Sequence, residues 1–280
     1  QTNATVIDAL LQSYQGVIAA DTGHISVHEA GAIEFGGHKV LTLPHHNGKI
    51  SAAQIQTLLE TYRNDANQEH MVMPGMVYIS QPTEYGTLSS LTELKAISSL
   101  CRAHHIPLYL DGARLAYALA CPQNDAALAD IAALCDIFYI GGTKCGALFG
   151  EAVVIPRAGT IPHFFTIIKQ HGALLAKGRL LGLQFDTLFT DVLYESIGTR
   201  AIQCADRIRQ IPSQKGYPLC FGSPTNQTFC IIENAAMERL SKKVAFGFWE
   251  KYDNSHTIIR FATSWATRMD EAEMLRQLLE

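Results

Sequence analysis

Six short apolar runs, rich in β-branched and aromatic residues, alternate with helix-period stretches over the first 155 positions, and no other feature narrows the fold as far. A run of four or five such residues between polar or glycine-bearing segments suits a buried strand. A longer stretch with apolar residues three or four apart suits an amphipathic helix. Strands are expected at 17–20, 39–43, 76–80, 107–110, 137–140 and 152–155, with helices at 2–14, 51–63, 89–104, 126–135 and 163–176. Strand and helix in turn mark βα units around a mostly parallel sheet, so the chain reads as an α/β protein. Beyond about 182 the pattern becomes a long helical stretch to 209, an irregular segment at 211–224, strands at 228–232 and 257–263, and a final helix from Asp270. This suggests a large α/β domain over 1–182, then a connecting helix and a smaller C-terminal α+β domain over 183–280.

The 280 residues suffice for a substantial core, and 48% hydrophobic against 17% charged residues is the balance of an ordinary globular protein. A formal net charge of −4, with no stripe of Lys or Arg interleaved with aromatics, speaks against a nucleic-acid partner. Seven cysteines, odd in number and never spaced as CxxC, argue against a disulfide framework or a zinc ribbon and for a reducing, cytoplasmic setting. No apolar run approaches the ~20 residues that cross a bilayer, so no membrane span is expected.

The chemistry concentrates at two strand ends. Asp111 in YLDGAR and Lys144 in FYIGGTKCG each follow an apolar run, which places them at the carboxyl edge of the sheet, where open α/β sheets bind ligands. Taken locally, the pair suits either a structural ion pair or a catalytic constellation. GGTKCG is not a nucleotide loop, because it lacks the GxxxxGK[ST] spacing and has Cys145 where a magnesium-binding hydroxyl would stand. A carboxylate and a lysine together also suit pyridoxal phosphate (PLP), which needs a lysine to hold it covalently and a carboxylate on its ring nitrogen. Glycines beside Lys144 could let backbone pass close to such a cofactor, and Arg114 suits a bidentate grip on an amino acid carboxylate.

The segments TNATVIDALL, ADTGHISVHEAGAIEFGGHKV, SQPTEYGTLSSLTEL, LYLDGARLA, IFYIGGTKCG, KQHGALLAKGRLLG and IRFATSWAT resemble, in order and spacing, L-threonine aldolases of the β-eliminating lyase family. The resemblance runs over essentially the whole chain and implies a fold-type-I PLP enzyme that cleaves a β-hydroxy-α-amino acid into glycine and an aldehyde. It implies Lys144 as the Schiff-base lysine, Asp111 as the partner of the pyridinium nitrogen, and His24 as the residue stacked on the ring. Arg114 and Arg260 are implied as the carboxylate-binding arginines, and Gln1 and Thr2 as the edge of the phosphate loop. Lys177 is implied as a basic residue reaching a neighbouring subunit's phosphate, in a homodimer or homotetramer with shared sites.

Glu84 departs from the family pattern, because many members carry histidine there; the base for the β-hydroxyl is then Glu84, His24 or a water between them. The family's leading segment before Gln1 is also expected to be missing, together with the glycines of the phosphate loop. His24 and His28 are spaced i, i+4, but with no third ligand nearby in sequence no metal is expected. Interior ion pairing for Arg260 and a solvated basic face for Lys177 and Arg179 are the plainer alternatives. Asp111, as a strand-end carboxylate, is expected to be largely solvated without cofactor, so that its loss costs catalysis far more than folding.

Overall fold

The computed structural model describes residues 1–279 and contains two sheets. The larger has six strands: β1 (Gln15–Ala20), β2 (Val40–Leu43), β3 (Met73–Ser80), β4 (Leu108–Asp111), β5 (Ile137–Gly141) and β6 (Glu151–Val154). Their order is β2-β1-β3-β4-β5-β6; every pair is parallel except β5–β6, an antiparallel hairpin. The second sheet, order β7-β9-β8, is wholly antiparallel and uses β7 (Gln227–Glu233), β8 (Gly247–Lys251) and β9 (His256–Ala262).

Helices of the first half are α1 (Thr2–Leu10), α2 (His24–Val27), α3 (Ala32–Phe35), α4 (Ala52–Asn64), α5 (Leu91–Ala103), α6 (Leu115–Leu119) and α7 (Leu128–Leu134). Those of the second half are α8 (Phe164–Gln170), α9 (Arg179–Leu188), α10 (Leu193–Gln214), α11 (Asn234–Ser241) and α12 (Met269–Leu278). Helices α4 and α5 begin at full capping boxes, Ser51 with Gln54 and Ser90 with Glu93, which satisfy otherwise orphaned N–H groups.

Successive strand residues face opposite sides, and both sides are covered, which is why the central strands are apolar throughout. On one side Ile18, Val77, Leu108, Leu110 and Phe138 pack with Ile55, Leu94 and Ile97 of α4 and α5. On the other Val17, Met76, Tyr78, Tyr109 and Tyr139 meet Val6 and Ile7 of α1 and Ile33 of α3. A third cluster, Ile208, Ile211, Cys230, Ile259 and Leu275 among others, joins the end of α10 to the second sheet and α12. All six strands of the large sheet lie where the sequence places them.

Several expectations need correction. The helices expected at 2–14 and 163–176 end early, at Leu10 and Gln170, and α2, α3, α6 and α11 were not anticipated. The long helical stretch is broken: α9 ends at Leu188 and α10 starts at Leu193, with Asp191 and Val192 in the left-handed region between them. Helix α10 then runs on to Gln214 through Pro212, past the expected end at 209. Strand β8 was not anticipated, because it is an edge strand with Phe248, Glu250 and Lys251 exposed, so no buried apolar run marks it.

Candidate active site

The carboxyl edge of the large sheet opens into a cavity of about 460 Å³ lined by Gln1, Thr2, Asn3, His24, Glu84, Asp111, Arg114 and Lys144, among others. His24 follows β1, Glu84 follows β3, Asp111 ends β4 and Arg114 follows it, Lys144 lies in the turn between β5 and β6, and Gln1, Thr2 and Asn3 form the start of α1. An adjoining cavity of about 420 Å³ shares His24, Glu84 and Arg114 and adds Thr22, His28, Tyr85, Trp249 and Arg260. Of the nine residues singled out from the sequence, eight line these two cavities. Lys177 does not; it is exposed, just before α9.

Asp111 forms the floor. It is only 4% exposed and accepts four hydrogen bonds: from Tyr139 OH and Ala113 N (2.9 Å) on one oxygen, and from Tyr78 OH and Asn3 Nδ2 (3.1 Å) on the other. The expectation of a largely solvated carboxylate is therefore wrong. Tyr78 and Tyr109 are opposite each other in the β3–β4 register and share a sheet face with Tyr139, so three phenols point to the same side. Burial, then the Asp111 charge, pushes Tyr78 and Tyr139 far above the usual phenol range, so both stay neutral donors. Tyr109 OH donates to Asn3 Oδ1 at 2.8 Å, and Asn3 Nδ2 also reaches Glu29 at 2.7 Å.

Across the cavity, no hydrogen bond or ion pair to a described residue is made by Lys144 Nζ. Burial, then the neighbouring Arg114, lowers its pKa, which favours a nucleophilic neutral amine. Its turn is clamped by Glu151, which accepts from Gly142 N at 2.6 Å, and by Tyr117 OH, which donates to the Lys144 carbonyl. The glycines there serve the protein's own packing: a Cβ at Gly141 would lie 2.2 Å from the Ala113 carbonyl, and one at Gly142 2.4 Å from that of Gly150.

His24 is held through Nδ1 by Glu29 at 2.7 Å. Glu84 is buried; its Oε1 accepts from the His24 N–H at 3.0 Å and from Ser80 Oγ at 2.8 Å, and its Oε2 has no described hydrogen-bond partner. Burial, reinforced by Asp111, raises the Glu84 pKa.

The two arginines of these cavities make no ion pair with a carboxylate among the described residues, although Asp111, Glu84 and Glu151 line the same space. Arg114 makes no ion pair with a described residue, and Arg260 spends its guanidinium on Gln227 Oε1 (3.0 Å) and the face of Trp249, 5.3 Å from Cζ to centroid. An interior ion pair for Arg260 is thus not what the fold provides. Burial, then Arg114, lowers the pKa of Arg260, and burial, then His24, Arg260, Arg114 and Lys144, lowers that of His28. Such a site is built for an anion.

At the other end, α1 starts at the cavity wall with Gln1 making no side-chain cap and no acidic residue in its first turn. Thr5 Oγ1 lines the same wall, buried and without a partner. An uncapped helix N-terminus beside an orphaned hydroxyl suits a phosphate. Amine, acceptor floor and anion wall in one cavity fit PLP.

The beta-eliminating lyase family model matches residues 1–270. The chain belongs to this family. Among curated members, the low specificity L-threonine aldolase of Pseudomonas sp. is 32% identical over 268 residues, which span 95% of this chain and 75% of that one. The low specificity L-threonine aldolase of Pseudomonas aeruginosa is 31% identical over 284 residues, 99% of this chain and 78% of the other. The solved threonine aldolase of Leishmania major superposes with a TM-score of 0.94 at 43% identity, covering 99% of this chain and 80% of that one. Thermus thermophilus aspartate aminotransferase, at 13% identity and a TM-score of 0.69, shares the fold, over 99% of this chain and 72% of its own. This member of the family has the fold-type-I architecture. Sequence reading missed Asn3, Glu29, Tyr78, Tyr109, Ser80, Tyr139, Trp249 and Gln227: most act by contacts between distant segments, and Ser80 by a contact with Glu84 four residues on that no motif marks. The tyrosines alone left a trace, one in each of three consecutive apolar runs.

Proposed function

We propose that this member of the family uses PLP to cleave threonine or a related β-hydroxy-α-amino acid into glycine and an aldehyde. The observation that carries the reading is the pair Arg114 and Arg260, both without a carboxylate partner among the described residues, beside the unpaired amine of Lys144. An amino acid carboxylate supplies the missing charge, and two guanidinium groups can fix its orientation. PLP, when bound, supplies the electron sink for the pair released at Cα. Lys144 would hold the cofactor covalently, Asp111 would accept from its ring nitrogen, and His24, braced by Glu29, would stack on the ring. The first turn of α1, with Gln1, Thr2 and Thr5, would hold the phosphate.

Glu84 takes the proton of the β-hydroxyl. Its Oε1 is anchored by two donors, which leaves Oε2 for the substrate, and its raised pKa brings it closer to neutral pH, where a general base works best. The proton passes to Glu84 as the Cα–Cβ bond opens, and the electron pair left at Cα takes up one from Lys144, across the cavity, in its ammonium form; the proton on Glu84 then returns to the amine through water, so none is gained or lost. Arg114 and Arg260 fix which bond at Cα breaks.

Lys177, exposed and outside its own cavity, serves the phosphate of a partner subunit in a homodimer or homotetramer; exposed Leu148, Leu175, Leu180 and Leu183 support such an assembly. The division into a cofactor-bearing unit to about 182 and a smaller unit after it belongs to the same reading, with α10 contributing to the cores of both. Seven free cysteines and no helix long and apolar enough to cross a membrane among the described residues support a cytoplasmic setting.

Two measurements test the proposal. Borohydride reduction of the PLP-loaded chain, followed by peptide mapping, is expected to label Lys144, and Lys144→Ala is expected to lose both label and activity. Incubation with threonine is expected to give glycine and acetaldehyde; a keto acid with ammonia overturns the aldolase assignment.

A further inference from the structure

Ser80 ends β3 directly opposite Asp111 in the β3–β4 register, and is 9% exposed. Its Oγ is 2.8 Å from Glu84 Oε1 and 3.4 Å from Tyr78 OH, and Tyr78 OH in turn donates to Asp111 Oδ2. Two buried carboxylates with different tasks are thus joined through two hydroxyls. A serine hydroxyl has one proton, so Ser80 can donate towards Glu84 or towards Tyr78, not both. We propose that Ser80 is a positioning residue that passes the protonation state of Glu84 to Asp111 by turning its single hydroxyl proton between Glu84 and Tyr78. The proposal rests on the reading of Asp111 as the partner of the PLP ring nitrogen.

The two states differ in hydrogen-bond direction. With Glu84 ionised, Ser80 donates to Glu84 Oε1 at its short distance, and the Tyr78 oxygen receives nothing from Ser80. When Glu84 takes up the proton of the β-hydroxyl on Oε2, its Oε1 becomes the carbonyl oxygen of a neutral acid and a weaker acceptor, and the serine proton turns to Tyr78. Tyr78 then both accepts and donates, which strengthens its bond to Asp111, since hydrogen bonds in a chain polarise one another. No proton leaves Asp111 and none is created: one enters at Glu84 and the hydroxyls only reorient. Asp111 becomes a weaker acceptor for the ring nitrogen at the moment the Cα–Cβ bond has opened. Charge alone also couples the sites, because Asp111, His24, Arg114 and Lys144 line the same cavity as Glu84. The test must therefore separate bond from field.

Ser80→Ala removes the hydroxyl and leaves every charge in place. In the PLP-loaded chain, Glu84→Gln is expected to move the pH midpoint of the visible absorption by about 0.5 unit, roughly a threefold change in proton affinity. The same substitution made in Ser80→Ala is expected to move it far less, and Ser80→Thr, which keeps the hydroxyl, to restore the shift. An equal shift with and without the hydroxyl shows coupling through space and overturns the proposal.

A companion measurement needs no cofactor: the Glu84 carboxyl carbon is titrated by NMR in the PLP-free chain. Tyr78→Phe is expected to move its midpoint in the Ser80 background and not in Ser80→Ala, and additive effects overturn the proposal. A chain that binds no PLP but shows the NMR coupling would refute the cofactor reading and leave the Ser80 link standing.

Discussion

Asp111 shows at the scale of one residue what a sequence hides. Its place at a strand end was legible, because an apolar run precedes it; its four donors were not, because they come from β3, β5, the backbone of its own loop and the start of α1. Asp111→Ala strands the hydroxyls of Tyr78 and Tyr139 in a buried site and leaves Asn3 Nδ2 with Glu29 alone, and a buried donor without an acceptor costs on the order of 1–3 kcal/mol. The PLP-free variant is therefore expected to unfold in urea with a loss of at least about 2 kcal/mol, and Asp111→Asn, which keeps an acceptor oxygen, with a smaller loss. Unchanged unfolding midpoints for Asp111→Ala would count against the donor network. Glu84 gives a second expectation. A base must be ionised to work, and burial with Asp111 raises this carboxyl, so threonine turnover should fall, as pH drops, at a midpoint above the usual glutamate range. Glu84→Gln is expected to remove that limb and to lower threonine turnover while leaving glycine binding nearly unchanged. Equal losses in both would reduce Glu84 to a structural part.

Elements were more legible than contacts because their periodicity is local. The central strands β1, β3, β4 and β5 are buried on both faces, so their apolar runs stand out, whereas β8 has one open edge and exposed side chains and does not. The break between α9 and α10 escaped notice for a related reason: nothing in Phe189–Leu193 resembles a helix stop, and the turn depends on non-glycine residues in left-handed conformation. Helix α10 also contains Gly198, where helix propensity alone favours alanine by about 1 kcal/mol. Close packing reverses that sign. A Cβ at Gly198 would lie 2.2 Å from the Ala116 carbonyl and 2.8 Å from Ala120 Cβ, so it would force α10 away from α6. Gly198→Ala is expected to destabilise by about 1–3 kcal/mol, the range for overpacking, read as a lower denaturant midpoint. A higher midpoint would mean that the two helices separate at little cost.

The whole molecule presents apolar side chains near the Lys144 turn and α9, with Leu148 85% and Leu183 58% exposed. If a second copy covers them and lends Lys177, two inactive variants should complement each other. Mixing unfolded Lys144→Ala and Lys177→Ala chains and refolding them together makes hybrids in which one site has lost both lysines and the other keeps both. Activity is expected to reappear in the hybrid; none above the sum of the parents would place the active site wholly within one chain. The floor and the rim of this site also differ in how freely they can be rewritten. Around Asp111, substituents from β3, β4, β5 and α1 answer one another, so a lineage altering one would need companions at the others to remain folded. Trp249 and its neighbours on β8 lie on an open edge, with space on one side. Descendants of such a chain could acquire new substrates by single steps at that edge while inheriting the same reaction, and a new reaction would be much harder to reach.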